Sequence, residues 1–333
     1  MDTLTLMLIA VVILAVFFDY INGFHDTANA IATSVATRAL HPRVAIVMAT
    51  AFNFIGAFAG TAVAKTIGAG LVDEATSTQA VIIAALIGAI VWNLLTWYYG
   101  LPSSSSHALI GGLFGATLIS AGTGAFKVQG ILEKVIFPMV ASPLIGFIGA
   151  FALLVILFRI FFHAPRRPMT TVFRRLQIVS AGFMAFSHGS NDAQKTMGII
   201  TLSLFSAGVI SSVDVPWWVI VIAATAISLG TAVGGWRIMH TMGHRVVKLE
   251  PVHGFAAETT AATIIFTAAH FGMPVSTTHV ISSAIIGVGS VRGVRGVRWG
   301  VARQILLAWI ITIPAAAIVA ALSWLVLHAI GLG

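Results

Sequence analysis

Residues 100–107 read Gly-Leu-Pro-Ser-Ser-Ser-Ser-His, and residues 272–279 read Gly-Met-Pro-Val-Ser-Thr-Thr-His. Glycine, proline, one serine and the histidine recur in register, and two further positions keep a hydroxyl. A second pair lies upstream, Gly23-Phe24-His25-Asp26 and Gly189-Ser190-Asn191-Asp192. The intervals 23 to 189 and 100 to 272 are nearly equal. Two motifs repeated in one order at nearly one spacing indicate a duplicated half. Duplication about the bilayer midplane is the usual plan of secondary transporters. An odd number of spans per half would set the two copies in opposite topology.

The composition places this repeat in a membrane. Of 333 residues, 58% are hydrophobic and 8% charged, whereas an ordinary soluble domain is roughly 25% charged. That excludes a soluble enzyme, a nucleic-acid binder and a disordered chain. An all-α integral membrane protein remains. At roughly 20 apolar residues per span, this length predicts about 10–12 transmembrane segments, too many for a simple anchor. Apolar runs recur at 4–22, 43–63, 80–99, 107–121, 134–162, 176–187, 197–210, 216–236, 255–270, 279–291 and 300–330. Pro138 and Pro143 predict a kink in the longest of the central ones. The short runs beside the two Pro-Ser motifs predict two re-entrant helical hairpins.

Arg159, Arg166, Arg167, Arg174 and Arg175 gather in mid-chain with Pro165 and Pro168. They read as a basic cytoplasmic linker, 159–175, between a first half, 1–158, and a second, 176–333. The same rule accounts for the net charge of +8 without invoking nucleic acid. There are no cysteines, so disulfides and thiolate metal sites are excluded. Met1-Asp2-Thr3 has no basic n-region, so no cleavable signal peptide is expected. Trp97, Tyr98, Tyr99, Trp217 and Trp218 read as interfacial anchors. Asp2, Asp73, Glu74, Glu133 and Asp214 read as loop or interface charges.

Proline suits the first turn of a helix, and Ser and Thr are good N-caps. Each Pro-Ser motif would therefore end in free backbone N–H groups, the positive end of a helix dipole and several hydroxyls. That set suits a tetrahedral oxyanion. The candidates are Ser104, Ser105, Ser106, Ser276, Thr277 and Thr278, with His107 and His279 supporting them; capping and helix packing are the plainer alternative. Asp19, Asp26, Asp192 and Glu258 lie in apolar surroundings, where an ionisable group costs several kcal/mol and function is the first hypothesis. Small residues and glycines around Asp26 and Asp192 predict unwound helix whose oxygens hold a proton or Na⁺. Lys195 beside Asp192 allows a salt bridge instead. Glu258 reads as a proton relay or as a protonated packing residue. Phosphate still carries a P–OH proton near neutral pH and sulfate does not, so an acid facing the oxyanion favours phosphate.

The stretch from Asp19-Tyr20-Ile21-Asn22-Gly23 through His25-Asp26-Thr27-Ala28-Asn29-Ala30 resembles the first signature of the inorganic phosphate transporter (PiT) family. His188-Gly189-Ser190-Asn191-Asp192-Ala193-Gln194-Lys195-Thr196-Met197-Gly198 resembles the second, and both Pro-Ser segments match as well. The resemblance covers essentially the whole chain. It implies an inverted-repeat symporter of inorganic phosphate in the cell membrane, a homodimer, with no covalent chemistry and no resident cofactor. It implies that the hairpin hydroxyls hold phosphate, and that Asp26, Asn29, Asn191 and Asp192 hold the coupling ion, supported by Asp19, Asn22, Gln194 and Lys195. Bacterial members are commonly coupled to H⁺ and carry phosphate alone or as a neutral complex with a divalent metal such as Mg²⁺; some relatives use Na⁺, and some carry sulfate.

Three departures bear on the coupling ion and on the architecture. Many members have Asn where His25 stands, and a titratable His leans toward protons. Asn53 stands near the position of a glutamate in animal relatives, which leaves Glu258 as the membrane-buried Glu. The central loop is also short. Proton coupling through Glu258, Asp26 and His25 is therefore expected, with Na⁺-coupled phosphate or sulfate transport as the alternative. An anion channel would need no buried acids. A membrane enzyme would need a nucleophile–base pair or a metal cluster that the sequence does not display.

Overall fold

A computed structural model describes residues 3–333; Asp2 and the side chain of Arg166 lie outside the described residues. The first copy of each motif is carried by α1 (Thr3–Ala36), α2 (Pro42–Gly56), α3 (Ala62–Ala69), α4 (Gln79–Tyr99), α5 (Ser105–Ala121), α6 (Val128–Ile131) and α7 (Phe137–Ile160). The second is carried by α8 (Arg166–Ser206), α9 (Trp217–Val233), α10 (Trp236–His240), α11 (Pro251–His270), α12 (Thr277–Ser290) and α13 (Trp299–Ala329). A π-turn at Leu132–Ile136 joins α6 to α7. It falls just before Pro138, whose ring and missing N–H disrupt the preceding turn.

The repeat extends to backbone detail. α4 and α11 both stop at a left-handed glycine, Gly100 at φ 65° and Gly272 at φ 66°. The Leu101 N–H then bonds the Thr96 carbonyl, and the Met273 N–H bonds the Ala268 carbonyl. Among the described residues the extended pairing consists of two isolated bridges, Val72 with Phe126 and Val247 with Val297, one at the same place in each copy. The copies also interlock. α5 packs on α13 and α12 on α7, while α1 packs on α9 and α2 on α8. The second arm of each hairpin is thus held by the other copy.

Among the described residues four helical stretches, Thr3–Ala36, Gln79–Tyr99, Val128–Ile160 and Trp299–Ala329, are long and apolar enough to cross a membrane. The pair Trp217–Val233 and Trp236–Arg245, bent by 61°, is a fifth if the two helices count as one broken span. The sequence leads one to expect ten to twelve. The remaining apolar runs form helices too short to cross alone, such as α2 and α5, or lie on helices that carry charge, such as α8. The basic segment is mostly helical: Arg159 lies in the last turn of α7, and Arg167, Arg174 and Arg175 lie on α8.

The expected unwinding at the two aspartates does not occur. Asp26 and Asp192 sit inside continuous helices, α1 and α8. The glycines serve close packing instead. A Cβ on Gly23 would come within 2.2 Å of the Ile227 carbonyl oxygen, and one on Gly189 within 2.2 Å of the Asn53 carbonyl oxygen. Unbroken helix hydrogen bonding costs less than unwinding where the neighbouring backbone already fills the space.

Candidate functional site

Both hairpins end in the same local device. Ser104 caps α5 by accepting from the His107 N–H at 3.1 Å, and Ser276 caps α12 by accepting from the His279 N–H at 3.2 Å. Thr and Ser side chains at an N-cap satisfy one of the donors that a helix start leaves open. The two tips meet. Ser106 donates to the Val275 carbonyl at 3.1 Å, and the His107 and His279 rings stand edge to face at 4.6 Å. His279 also stacks on Trp309 at 3.9 Å. The Ser105 hydroxyl, buried at the tip of α5, has no hydrogen-bond partner.

The signature helices bring the carboxylates to these tips. Thr277 donates to Asp26 Oδ2 at 3.4 Å. Asn29, one turn on, donates to Thr278 at 2.8 Å and Thr277 at 3.3 Å. From the other copy, Asn191 donates to the Val275 carbonyl at 3.0 Å and to Asp192 Oδ1 at 2.8 Å. The Lys195–Asp192 salt bridge, the alternative that the sequence allows, is present at 2.6 Å, and both side chains are fully buried. Asn22 donates to Asp192 Oδ2 at 3.4 Å, so each signature helix reaches the other's aspartate or its surroundings. Gln194 points elsewhere, accepting from the Val63 N–H at 2.8 Å and so capping α3.

His25 faces two ways. Its Nδ1 lies 2.6 Å from Asp26 Oδ1, and its Nε2 lies 3.1 Å from the Thr96 hydroxyl and 3.4 Å from that of Ser103. His188, which the sequence reading did not single out, lies between the two acids. Its Nε2 is 3.4 Å from Asp192 Oδ2 and 4.0 Å from Asp26 Oδ2 and makes no hydrogen bond, while Nδ1 meets the Asn53 side-chain oxygen at 3.0 Å. Ligand atoms of Asp26, His188 and Asp192 fall within 4.8 Å of one another. Two carboxylates and an imidazole with a free lone pair are a donor set for a divalent cation.

Asp19 is buried beside Thr196 and Asn22, close enough to Asp192 and Lys195 to interact with their charges. Glu258 is separate from the tips. It accepts from Ser34 at 2.6 Å, Ser180 at 2.5 Å, Gln177 at 3.2 Å, and Thr33. The four donors come from α1 and α8, so this carboxyl ties both signature helices to α11.

The model of the phosphate transporter family matches residues 22–320, which include the second signature, the first from Asn22 onward, and both hairpin tips. The chain belongs to the phosphate transporter family. A Bacillus subtilis protein described as a probable low-affinity inorganic phosphate transporter is 49% identical over 99% of this chain and 100% of its own length. A Rhizobium meliloti protein of the same description is 51% identical over 96% of each. Among solved structures, a sodium-dependent phosphate transporter superimposes with a TM-score of 0.89 at 26% identity, covering 97% of this chain and 99% of that one. Its family makes this chain a multi-pass membrane transporter and not an enzyme.

Proposed function

We propose that the chain imports inorganic phosphate by proton-driven symport, with phosphate held between the hairpin tips. The observation that carries this reading is the contact of Thr277 with Asp26: anion donors and carboxylates share one buried place. Ser105, Ser106, Thr277 and Thr278 supply hydroxyls there, and the starts of α5 and α12 supply backbone N–H groups and dipole. Asp26 and Asp192 place two carboxyls beside a single lysine, Lys195. A phosphate dianion beside them is prohibitive unless cations or protons arrive with it.

That requirement makes the site a coupling device. Protons placed on His25, Asp26 or Glu258 lower the local negative charge before the anion enters. A divalent metal, travelling as part of the substrate, fits Asp26, His188 and Asp192 and would arrive as a neutral complex with phosphate. Asp26 can in turn accept the P–OH proton, which sulfate lacks. Purified protein should therefore bind phosphate more tightly with Mg²⁺ present, and sulfate in equal amount should not compete. Equal competition by sulfate would remove Asp26 as the discriminating acceptor.

One observation favours sodium as a second reading. Asp19, Asn22 and Thr196 bring side-chain oxygens together in one buried place, a donor set for Na⁺, and the solved relative is named sodium-dependent. Asp19→Asn separates the two. It should leave pH-driven uptake standing and abolish any uptake driven by Na⁺.

A further inference from the structure

The duplicated halves are unlike at one place. Relative to the motif histidines, Leu86 stands where Glu258 stands. Relative to the motif aspartates, Val11, Leu14, Ile199 and Ile200 stand where Gln177, Ser180, Thr33 and Ser34 stand. Every polar member of the Glu258 cluster therefore has an apolar counterpart. Val11, Leu86, Ile199 and Ile200 lie in one buried cluster with Leu14 packed against it. The same three-helix junction is built once from five polar side chains and once from five aliphatic ones.

The two junctions also lie toward opposite ends of the molecule. Thr33 and Ser34 precede Arg38, and Gln177 and Ser180 follow Arg174 and Arg175, so the polar junction faces the basic end. By the positive-inside rule that end is cytoplasmic. A polar stripe on α1, from Asp26 through Asn29 to Thr33, joins the substrate site to Glu258. On α8 the corresponding stripe, Asp192 and Lys195, runs into Ile199. Gly254 adapts the polar junction further: a Cβ there would overlap the Gln177 amide at 1.9 Å.

We propose that Glu258 and its four partners form a proton-released latch on the cytoplasmic opening, and that the opposite opening is sealed by aliphatic packing and ignores pH. This rests on the reading of the chain as an alternating-access phosphate symporter. Ionised Glu258 accepts charge-assisted hydrogen bonds from α1 and α8, roughly twice as strong as neutral ones. Protonation removes that excess and loosens α1 from α8 and α11 on this side alone. Release of the proton to the cytoplasm restores the carboxylate and closes the latch. The groups that face the carboxyl are Thr33 and Ser34 of α1 and Gln177 and Ser180 of α8, and none carries charge. Among the described residues, no charged group of α7 or α12 acts on it.

The absence of cysteine allows a direct test. Ala181 beside Ser180 and its repeat counterpart Ala15 are both fully buried, so Ala181→Cys and Ala15→Cys report on the two junctions. Each is reacted with an impermeant maleimide from its own side at pH 6 and pH 8. Each rate is divided by that of the same cysteine in Glu258→Gln at the same pH, which cancels the thiol's own titration. The ratio for Ala181→Cys should rise about tenfold between pH 8 and pH 6, as expected for loss of one charge-assisted bond, and the ratio for Ala15→Cys should stay constant. A constant ratio at Ala181→Cys overturns the latch. If Glu258→Gln fails to reach the membrane, Ser180→Ala with Ser34→Ala takes its place as reference, since it removes two latch donors. Sodium-driven uptake with a pH-dependent ratio would leave the latch and remove the proton as coupling ion. Proton-driven uptake with a constant ratio would do the reverse.

Discussion

Asp192 and Lys195 form a buried ion pair at 2.6 Å with both side chains sealed from solvent. Breaking such a pair from one side costs about 3–5 kcal/mol, because the remaining charge is left uncompensated. Asp192→Asn should therefore lose both concentrative uptake and thermal stability. Asp192→Asn with Lys195→Met should recover the stability, read as the melting midpoint in detergent, without recovering uptake. Asp26→Asn, which strands no lysine, should abolish uptake with the smaller loss of stability. Normal uptake in either aspartate variant would remove that residue from the coupling site. The serines divide in the opposite sense. Ser104 caps α5, so Ser104→Ala should cost about 1 kcal/mol of stability. Ser105 has an unpartnered buried hydroxyl, so Ser105→Ala should weaken phosphate binding with the melting midpoint held. A Ser105→Ala protein that binds phosphate normally would contradict the hydroxyl cradle.

At the scale of elements, the signature helices cross their neighbours on glycine. Gly23 meets Ile227 and Gly230 of α9, and Gly189 meets Asn53 of α2, in repeat-related crossings. Gly23→Ala and Gly189→Ala should each destabilise by about 1–3 kcal/mol through overpacking, measured as loss of folded protein on size-exclusion after a heat step. Wild-type heat resistance in both would show that the crossings are looser than described. An exposed pair, Lys65 of α3 with Asp214 before α9 at 2.8 Å, behaves differently. The hydrogen bond from Lys65, then that from Ser212, holds the Asp214 carboxyl below its usual range. The contact thus contributes above the ordinary carboxylate range and fades as pH falls through the lowered value. Being solvent-exposed, it should be worth little: Asp214→Asn at physiological salt should leave the melting midpoint unchanged.

For the molecule as a whole, the repeat, the hairpins and the capping serines were legible in the sequence because each depends on local chemistry. A string such as Pro-Ser-Ser-Ser-Ser-His at 102–107 sets its own helix start wherever the chain goes. What escaped was set by packing between distant segments. His188 closes the gap between Asp26 and Asp192 only because α1 and α8 lie side by side. Gln177 and Ser180 sit in a run that reads as plain apolar span, and only the position of Glu258 on the facing helix gives them a role. The glycines near the aspartates read equally well as hinges or as contact points, and the neighbouring carbonyls decide for contact.

The proposed drive of phosphate past the hairpin tips by protons is measurable as radiolabelled phosphate uptake into proteoliposomes under an imposed pH gradient, inside alkaline and free of Na⁺. Uphill accumulation that collapses with a protonophore, and that Asp26→Asn abolishes, is the result expected. No accumulation under the pH gradient, with full uptake once Na⁺ is supplied, would contradict it.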